Sequence, residues 1–252
     1  MELDEYFYEL FENLPRQGPG DNGSTRKALG MMGRLPSPVA ILDIGCGSGM
    51  QTIELARNIT GTITALDNHQ PFLDELNRRA TREGLSERIR TVNGSMFSLD
   101  FSKESFDIIW SEGAIFVIGF ERGLEEFRPL LKPGGHLAVT ELCWIKEDQP
   151  REIAAYFEAV YENLPAMKNV AGNHECIERA GYELIGSFTL PESAWLDNYF
   201  RPVETHVERM RLKYPGNARV DELCNEMLHE IDMYGKYAKY YGYVFFVMRK
   251  PG

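Results

Sequence analysis

The chain has 252 residues, is 43% hydrophobic and carries a formal charge of −11 at neutral pH, enough for one large α/β core. No stretch approaches the roughly 18 consecutive apolar residues of a membrane helix, and the acidic start Met1-Glu2-Leu3-Asp4-Glu5 lacks a signal-peptide pattern. Basic residues such as Arg78-Arg79 are interleaved with acidic ones, so no basic stripe for nucleic acid exists, and a small-molecule partner in the cytoplasm is expected.

Leu3 to Leu14 predicts a short amphipathic helix with Leu3, Phe7, Leu10, Phe11 and Leu14 on one face. Arg16 to Gly23 is turn-rich, and Ser24 is expected to cap a second helix over Thr25 to Arg34. Pro36 and Pro38 lead into a first strand, Val39 to Asp43. A helix over Gly49 to Asn58 and a β-branched strand over Gly61 to Leu66 follow. Pro71 to Glu83 predicts a helix that ends before Gly84. Ile89 to Asn93 and Phe106 to Trp110 read as strands. Phe120 to Leu131 reads as a helix stopped by Pro133-Gly134-Gly135, ahead of a fifth strand over His136 to Glu141. Strands separated by single helices predict a parallel, doubly wound sheet.

Beyond Pro150, helices are expected over Arg151 to Asn163, His174 to Ala180, Val203 to Tyr214 and Val220 to Lys239. Strands are expected over Tyr182 to Leu190 and Tyr240 to Met248. The fold class is therefore α/β: a doubly wound, mostly parallel seven-stranded sheet with N-terminal helices and a helical insertion before the last strand. One domain covers 1–252, with 1–37 as an N-terminal lid, 38–145 as a cofactor-binding core and 146–252 as a C-terminal part whose insertion covers the site.

The most informative run is Val39 to Gly49, where an apolar strand enters Gly45-Cys46-Gly47-Ser48-Gly49 and a helix follows at once. Glycines at a strand edge permit a sharp turn and a close ligand, and the next helix begins with N–H groups free to face it. A dinucleotide loop wants G-x-G-x-x-G, but Met50 stands in the last slot, which disfavours a nicotinamide oxidoreductase. No Lys-Ser or Lys-Thr pair follows, which excludes a P-loop. Cys46, Cys143, Cys176 and Cys224 form neither a CxxC pair nor a zinc-like spacing, so four reduced thiols and no metal are expected.

Asp43-Ile44-Gly45-Cys46-Gly47-Ser48-Gly49 resembles the first motif of class I S-adenosylmethionine-dependent methyltransferases. Asp67-Asn68, Gly94-Ser95-Met96, Phe106 to Gly113 and Leu131 to Gly135 fall in the order that family shows, over about Val39 to Glu141. The flanks, including Arg16-Gln17-Gly18-Pro19-Gly20, are similar to a bacterial and archaeal subgroup of small-molecule methyltransferases.

The resemblance implies a site for S-adenosylmethionine, with S-adenosylhomocysteine as product. Backbone at Gly45, Cys46 and Gly47 would pass beneath its methionine part. Asp43 would hold the loop or the cofactor's amino group, and Asp67 the ribose hydroxyls, with Asn68 beside it. Gly94, Ser95 and Met96 would meet the adenine; relatives often carry Asp where Ser95 stands, so that contact is weaker here. Gln17, Ser111 and Glu112 complete the expected cofactor set. Glu112 has three open roles: bonding the amino group, facing the sulfonium, or accepting a proton as a catalytic residue. Tyr6, Trp144, Trp195, Tyr199 and Tyr241 are the aromatic candidates for the acceptor, with Phe7, Phe200 and Tyr240 near them. His69, His174 and His206 are bases by type, though each reads more simply as a surface or core residue.

The implied function is methyl transfer to a small molecule by in-line displacement, with no metal, nucleic-acid or membrane partner. A catalytically silent cofactor-binding subunit is the alternative from another class. Oligomeric state stays open, a homodimer included.

Overall fold

The computed structural model describes residues 5–12, 14–160 and 165–252. Leu3 and the expected helix end at 161–163 lie outside them.

Two short helices, α1 (Glu5–Phe11) and α2 (Asn22–Met31), precede β1 (Val39–Ile44). There follow α3 (Met50–Asn58), β2 (Gly61–Asp67), α4 (Gln70–Arg82), β3 (Ile89–Asn93), β4 (Phe106–Ser111), α5 (Phe120–Phe127) and β5 (Leu131–Trp144). The chain continues through α6 (Arg151–Val160), α7 (Val170–Arg179) and β6 (Glu183–Thr189) to α8 (Glu192–Trp195). After a π-helical turn at Leu196–Phe200 come α9 (Arg201–Lys213), α10 (Ala218–Tyr237) and β7 (Tyr241–Arg249).

The seven strands lie in the order β3-β2-β1-β4-β5-β7-β6. β1 to β5 are parallel, and β7 enters antiparallel between β5 and β6. This is the expected doubly wound fold. Neighbouring strand residues point to opposite faces and feed two cores. Ile41, Ile108, Ala138 and Phe245 join the core that the N-terminal helices and α9–α10 share. Leu42, Ile109, Leu137 and Phe246 join the core beneath α5 and α7. Burial on both faces is why β1 and β4 read as unbroken apolar runs.

The departures from expectation have local causes. Asp21, not Ser24, caps α2: its Oδ1 accepts the Ser24 N–H at 2.9 Å, which starts the helix earlier. Between β3 and β4 the chain makes a turn rather than a helix, closed by the Ser98 N–H on the Ser95 carbonyl. α5 stops at Phe127 and a 3₁₀ turn carries Arg128–Leu130, because β5 already begins at Leu131 and holds Pro133-Gly134-Gly135 inside it. β5 runs on to Trp144 because β7 pairs with it from His136 to Trp144. α8 and the π turn carry no sequence signal of their own and continue directly into α9.

Candidate active site

Strand order reverses between β1 and β4, and ligands of open α/β sheets sit beyond the carboxyl ends at such a point. A cavity of about 280 Å³ lies there, floored by Gly45, Cys46, Gly47, Asp67, Gly94 and Met96 and roofed by Phe7, Tyr8, Arg16, Gln17 and Gly18. Glu112, Ala114, Phe116 and Val117 close the β4 side.

The glycine loop is built differently from a free N–H cradle. Gly45 and Cys46 both donate to the Leu66 carbonyl, at 2.8 and 3.0 Å. Gly47 donates to Asp67 Oδ2 at 2.9 Å, and Ser48 to Gln17 Oε1 at 2.8 Å. The open N–H groups therefore belong to the first turn of α3, not to the loop. The glycines are needed for shape. Gly45 and Gly47 have φ of 71° and 53°. A Cβ at Gly45 would lie 2.3 Å from Ala114 Cβ, and one at Gly47 would lie 2.5 Å from Gln17 Oε1.

Asp67 faces the cavity with both oxygens half used, Oδ2 by Gly47 and Oδ1 by the His69 N–H at 3.0 Å. Burial raises its pKa above the ordinary carboxylate value while the backbone donors and His69 pull it back. Each oxygen keeps a lone pair for a further donor. Asn68, Gly94, Ser95 and Met96 line the same rim; the Ser95 hydroxyl accepts the Phe97 N–H at 3.2 Å and keeps its own proton to give.

Asp43 and Ser111 do not line the cavity. Asp43 is fully buried beneath the loop. Its Oδ2 accepts Thr52 Oγ1 at 2.6 Å and Gln51 Nε2 at 3.3 Å, and Gln51 also donates to the Cys46 carbonyl at 2.9 Å. Of the two roles open to it, holding the loop is the one its contacts support. Oδ1 has no partner, and burial, assisted by the charges of Glu112 and Asp67, pushes this carboxyl up to about 7. The Ser111 hydroxyl donates to the Ile44 carbonyl at 3.0 Å, inside the sheet and away from the cavity lining.

Glu112 lines the cavity but its carboxylate is occupied. Oε1 accepts Thr25 Oγ1 at 2.7 Å and Trp110 Nε1 at 2.9 Å, and Oε2 pairs with Arg16 at 3.3 Å. Burial pushes its pKa up, while Arg16, Thr25 and Trp110 hold it down. The net direction is upward, and the three donors make this carboxylate an anchor that ties the N-terminal segment to the end of β4. Gln17 acts alongside it, donating to the Phe11 and Leu14 carbonyls at 3.3 and 3.5 Å while gripping Ser48.

None of the five acceptor candidates lines this cavity. Tyr6 lies apart, its hydroxyl bonded by Asn217 Nδ2 at 3.2 Å and its ring 5.1 Å from Tyr214. Trp144, Trp195, Tyr199 and Tyr241 belong to one aromatic assembly behind the cavity roof. His69 stacks on Tyr8 at 4.0 Å and meets Glu12, while His174 and His206 bond Ser187 and the Leu10 carbonyl. Among the described residues no cluster of His, Cys, Asp and Glu could hold a metal ion, and no helix is long and apolar enough to cross a membrane. Sequence reasoning missed Arg16, Thr25, Tyr8 and Phe72; only Phe72 carries a signal, the i,i+4 spacing with Leu76 on α4.

Residues 41–135 match a family profile described as a methyltransferase domain. Over that span the chain carries a methyltransferase domain, in keeping with the resemblance of its motifs to class I S-adenosylmethionine-dependent methyltransferases. It is similar to the sterol 24-C-methyltransferase erg-4 of Neurospora crassa, 31% identical over 147 residues, covering 52% of this chain and 38% of that protein. The chain thus spans about two fifths of the length of such curated relatives. The fold is that of a methyltransferase from Geobacter sulfurreducens solved with S-adenosylhomocysteine (TM-score 0.83, 18% identity, 98% of each chain). A Thiobacillus denitrificans methyltransferase, also solved with S-adenosylhomocysteine, has TM-score 0.81 at 20% identity over 98% of this chain and 99% of that one.

Proposed function

We propose that this chain transfers a methyl group from S-adenosylmethionine to a small-molecule acceptor. The observation that carries this reading is the cavity over β1, β2 and β4, with Asp67 facing it and still able to accept from two hydroxyls. Asp67 would hold the ribose. Asn68, Ser95 and Met96 would bound the adenine, and Gly45 and Gly47 leave the volume that the methionine part needs.

The cofactor, when bound, supplies an electrophilic methyl on a sulfonium. The chain's own part is alignment and exclusion of water. Gln17 and the Arg16–Glu112 pair hold the roof closed over the loop, so the N-terminal residues serve as the lid. The C-terminal part supplies the acceptor side. Glu112 positions that lid through its bonds to Arg16, Thr25 and Trp110. The reading includes a cytoplasmic location, which cell fractionation tests.

Calorimetry with S-adenosylhomocysteine and with NAD tests the cofactor. Binding of the former, lost by about 2–4 kcal/mol in Asp67→Ala, is expected from a charge-assisted pair of bonds. Binding of NAD alone, or unchanged affinity in the variant, overturns it. An acceptor panel that includes sterols, as the relatives' names suggest, and amines then tests turnover by product mass; no methylated product across it favours the silent subunit.

A further inference from the structure

Glu141 stands within β5, paired with Val244 of β7, and shares a face with Val139 and Cys143, which belong to the core beneath α5 and α7. The pattern asks for an apolar residue there, and the paired backbone cannot carry the carboxyl out to water. The residue is only 9% exposed. Its carboxyl has no hydrogen bond among the described residues: Oε2 is sealed off without a partner, and no donor meets Oε1. Such a group is costly to bury unless something completes it.

Glu141 lines a second cavity, of about 330 Å³. Asp43 and Arg128 also hold a buried polar atom without a partner, but neither lines this cavity or the donor cavity. Phe116, Ile118, Phe120, Pro165 and Met167 make the walls largely apolar. Asn173, 2% exposed, also lines it; its Nδ2 donates to Cys143 Sγ at 3.1 Å, which leaves the amide oxygen for another donor. Two cations border the same cavity, each beside a carboxylate: Lys168 with Glu121 at 2.6 Å and Arg122 with Glu126 at 3.7 Å. Trp144 donates to the Lys168 carbonyl at 3.0 Å, which fixes the segment before α7 along the end of β5.

This cavity adjoins the donor cavity, for Phe116 lines both. The Gly113 N–H donates to Thr140 Oγ1 at 2.7 Å, which ties the loop after β4 to the residue before Glu141. The aromatic assembly is packed instead of hollow: Trp195 stacks on Tyr234 at 4.5 Å, and none of Trp195, Tyr199 and Tyr241 lines either cavity. Gly20, which follows the donor-cavity roof, is bonded to that side: it donates to the Ala194 carbonyl at 3.2 Å and accepts Asn198 Nδ2 at 3.0 Å.

Burial, only partly offset by Lys168, pushes the Glu141 carboxyl up to about 8, so it keeps its proton at neutral pH. A protonated carboxyl gives one hydrogen bond and accepts another, which complements a hydroxyl. An amine cation would need the ionised form and would sit beside two further cations, Lys168 and Arg122. We propose that this second cavity binds the methyl acceptor through a neutral hydroxyl group on an otherwise apolar molecule, with Glu141 and Asn173 as the hydroxyl's partners. Calling that molecule the acceptor rests on the methyltransferase reading. Apolar walls with a few convergent polar groups are the usual form of a small-molecule site.

The test titrates the full chain, saturated with S-adenosylhomocysteine at neutral pH, with cyclohexanol and with cyclohexylamine, followed by saturation-transfer NMR. Cyclohexanol is expected to bind at least about fivefold more tightly than the amine. Glu141→Leu should weaken cyclohexanol about tenfold, while Glu141→Gln, which keeps a donor and an acceptor, should hold it within about threefold. Both variants should bind S-adenosylhomocysteine as the parent does, which also shows that they fold. For any acceptor the parent turns over, Glu141→Leu should raise KM about tenfold with little change in kcat. Tighter binding of the amine, no cyclohexanol binding by the parent, undiminished cyclohexanol binding by Glu141→Leu, or an unchanged KM overturns the proposal. Failure of the parent to bind S-adenosylhomocysteine instead overturns the methyltransferase reading, and cyclohexanol titration without the nucleoside still reports on the cavity alone.

Discussion

Gln17 Oε1 accepts the backbone N–H of Ser48 at 2.8 Å, latching the segment that precedes the sheet onto the glycine loop that follows its first strand. The same oxygen fills the space beside Gly47, 2.5 Å from where a Cβ would stand. Motif and lid are therefore one packed unit.

Gly47→Ala should suffer twice. Its positive φ costs about 1–2 kcal/mol for an L residue, and the new methyl displaces Gln17. Urea unfolding and S-adenosylhomocysteine titration should show a loss in both stability and affinity. Adding Gln17→Ser should recover part of the affinity but not the backbone strain. If the double variant is no better than the single one, the clash with Gln17 is not what makes Gly47 a glycine.

The Arg16–Glu112 pair is buried on both sides, with side-chain exposures of 7% and 5%. Removing one partner leaves the other's charge uncompensated, at a cost of about 3–5 kcal/mol. Glu112→Ala should therefore lower the urea midpoint strongly. Arg16→Met with Glu112→Leu should be the milder change despite removing more. A double variant as unstable as the single one would show that Thr25 and Trp110, not Arg16, set the cost.

Stability should fall between about pH 5 and 8. Glu141 ordinarily ionises near 4.5, but burial, only partly offset by Lys168, pushes it up to about 8. Across that window the folded chain keeps a proton that the unfolded chain has released. Unfolding then becomes easier as pH rises, at up to about 1.4 kcal/mol per unit for one group. Asp43, pushed up to about 7, adds to the lower part of the window. Glu141→Gln should flatten the profile measured by urea unfolding at pH 5, 6.5 and 8. Parallel profiles for parent and variant would refute the assignment.

All four cysteines are buried and free, and burial raises their thiols. Cys143 is pushed up to about 12, and Cys46 lies well above its ordinary value although it borders the cavity. The thiolate is the reactive form. Ellman's reagent should label none of them in the folded chain and all four in urea. Prompt labelling of Cys46 in the native state would mean that the loop opens.

The strands and several residues of the cavity rim were legible because period and punctuation report them directly. Strands such as Val39–Ile44 are apolar on both sides, and Asp67 lies 20 residues beyond Gly47 at the end of the next strand. The functions of Asp43, Ser111 and Glu112 were harder to read. All three sit in motif positions, yet what each does depends on partners far along the chain: Thr52, Ile44 and Arg16. No local pattern encodes a bond between residues 96 positions apart, as Arg16 and Glu112 are. The aromatic residues were visible as a set, but their assembly depends on α8 and the π turn, which carry no helix start signal.

Gly20 is held from both directions, by Ala194 and by Asn198, so the roof of the donor cavity and the turn bearing Tyr199 share one joint. Neither can swing without pulling the other. A compulsory order of encounter is therefore expected, with the nucleoside entering before the acceptor and leaving after the methylated product. A dead-end analogue of the acceptor should then be competitive against the acceptor and uncompetitive against the donor, whereas independent entry would make it noncompetitive against the donor.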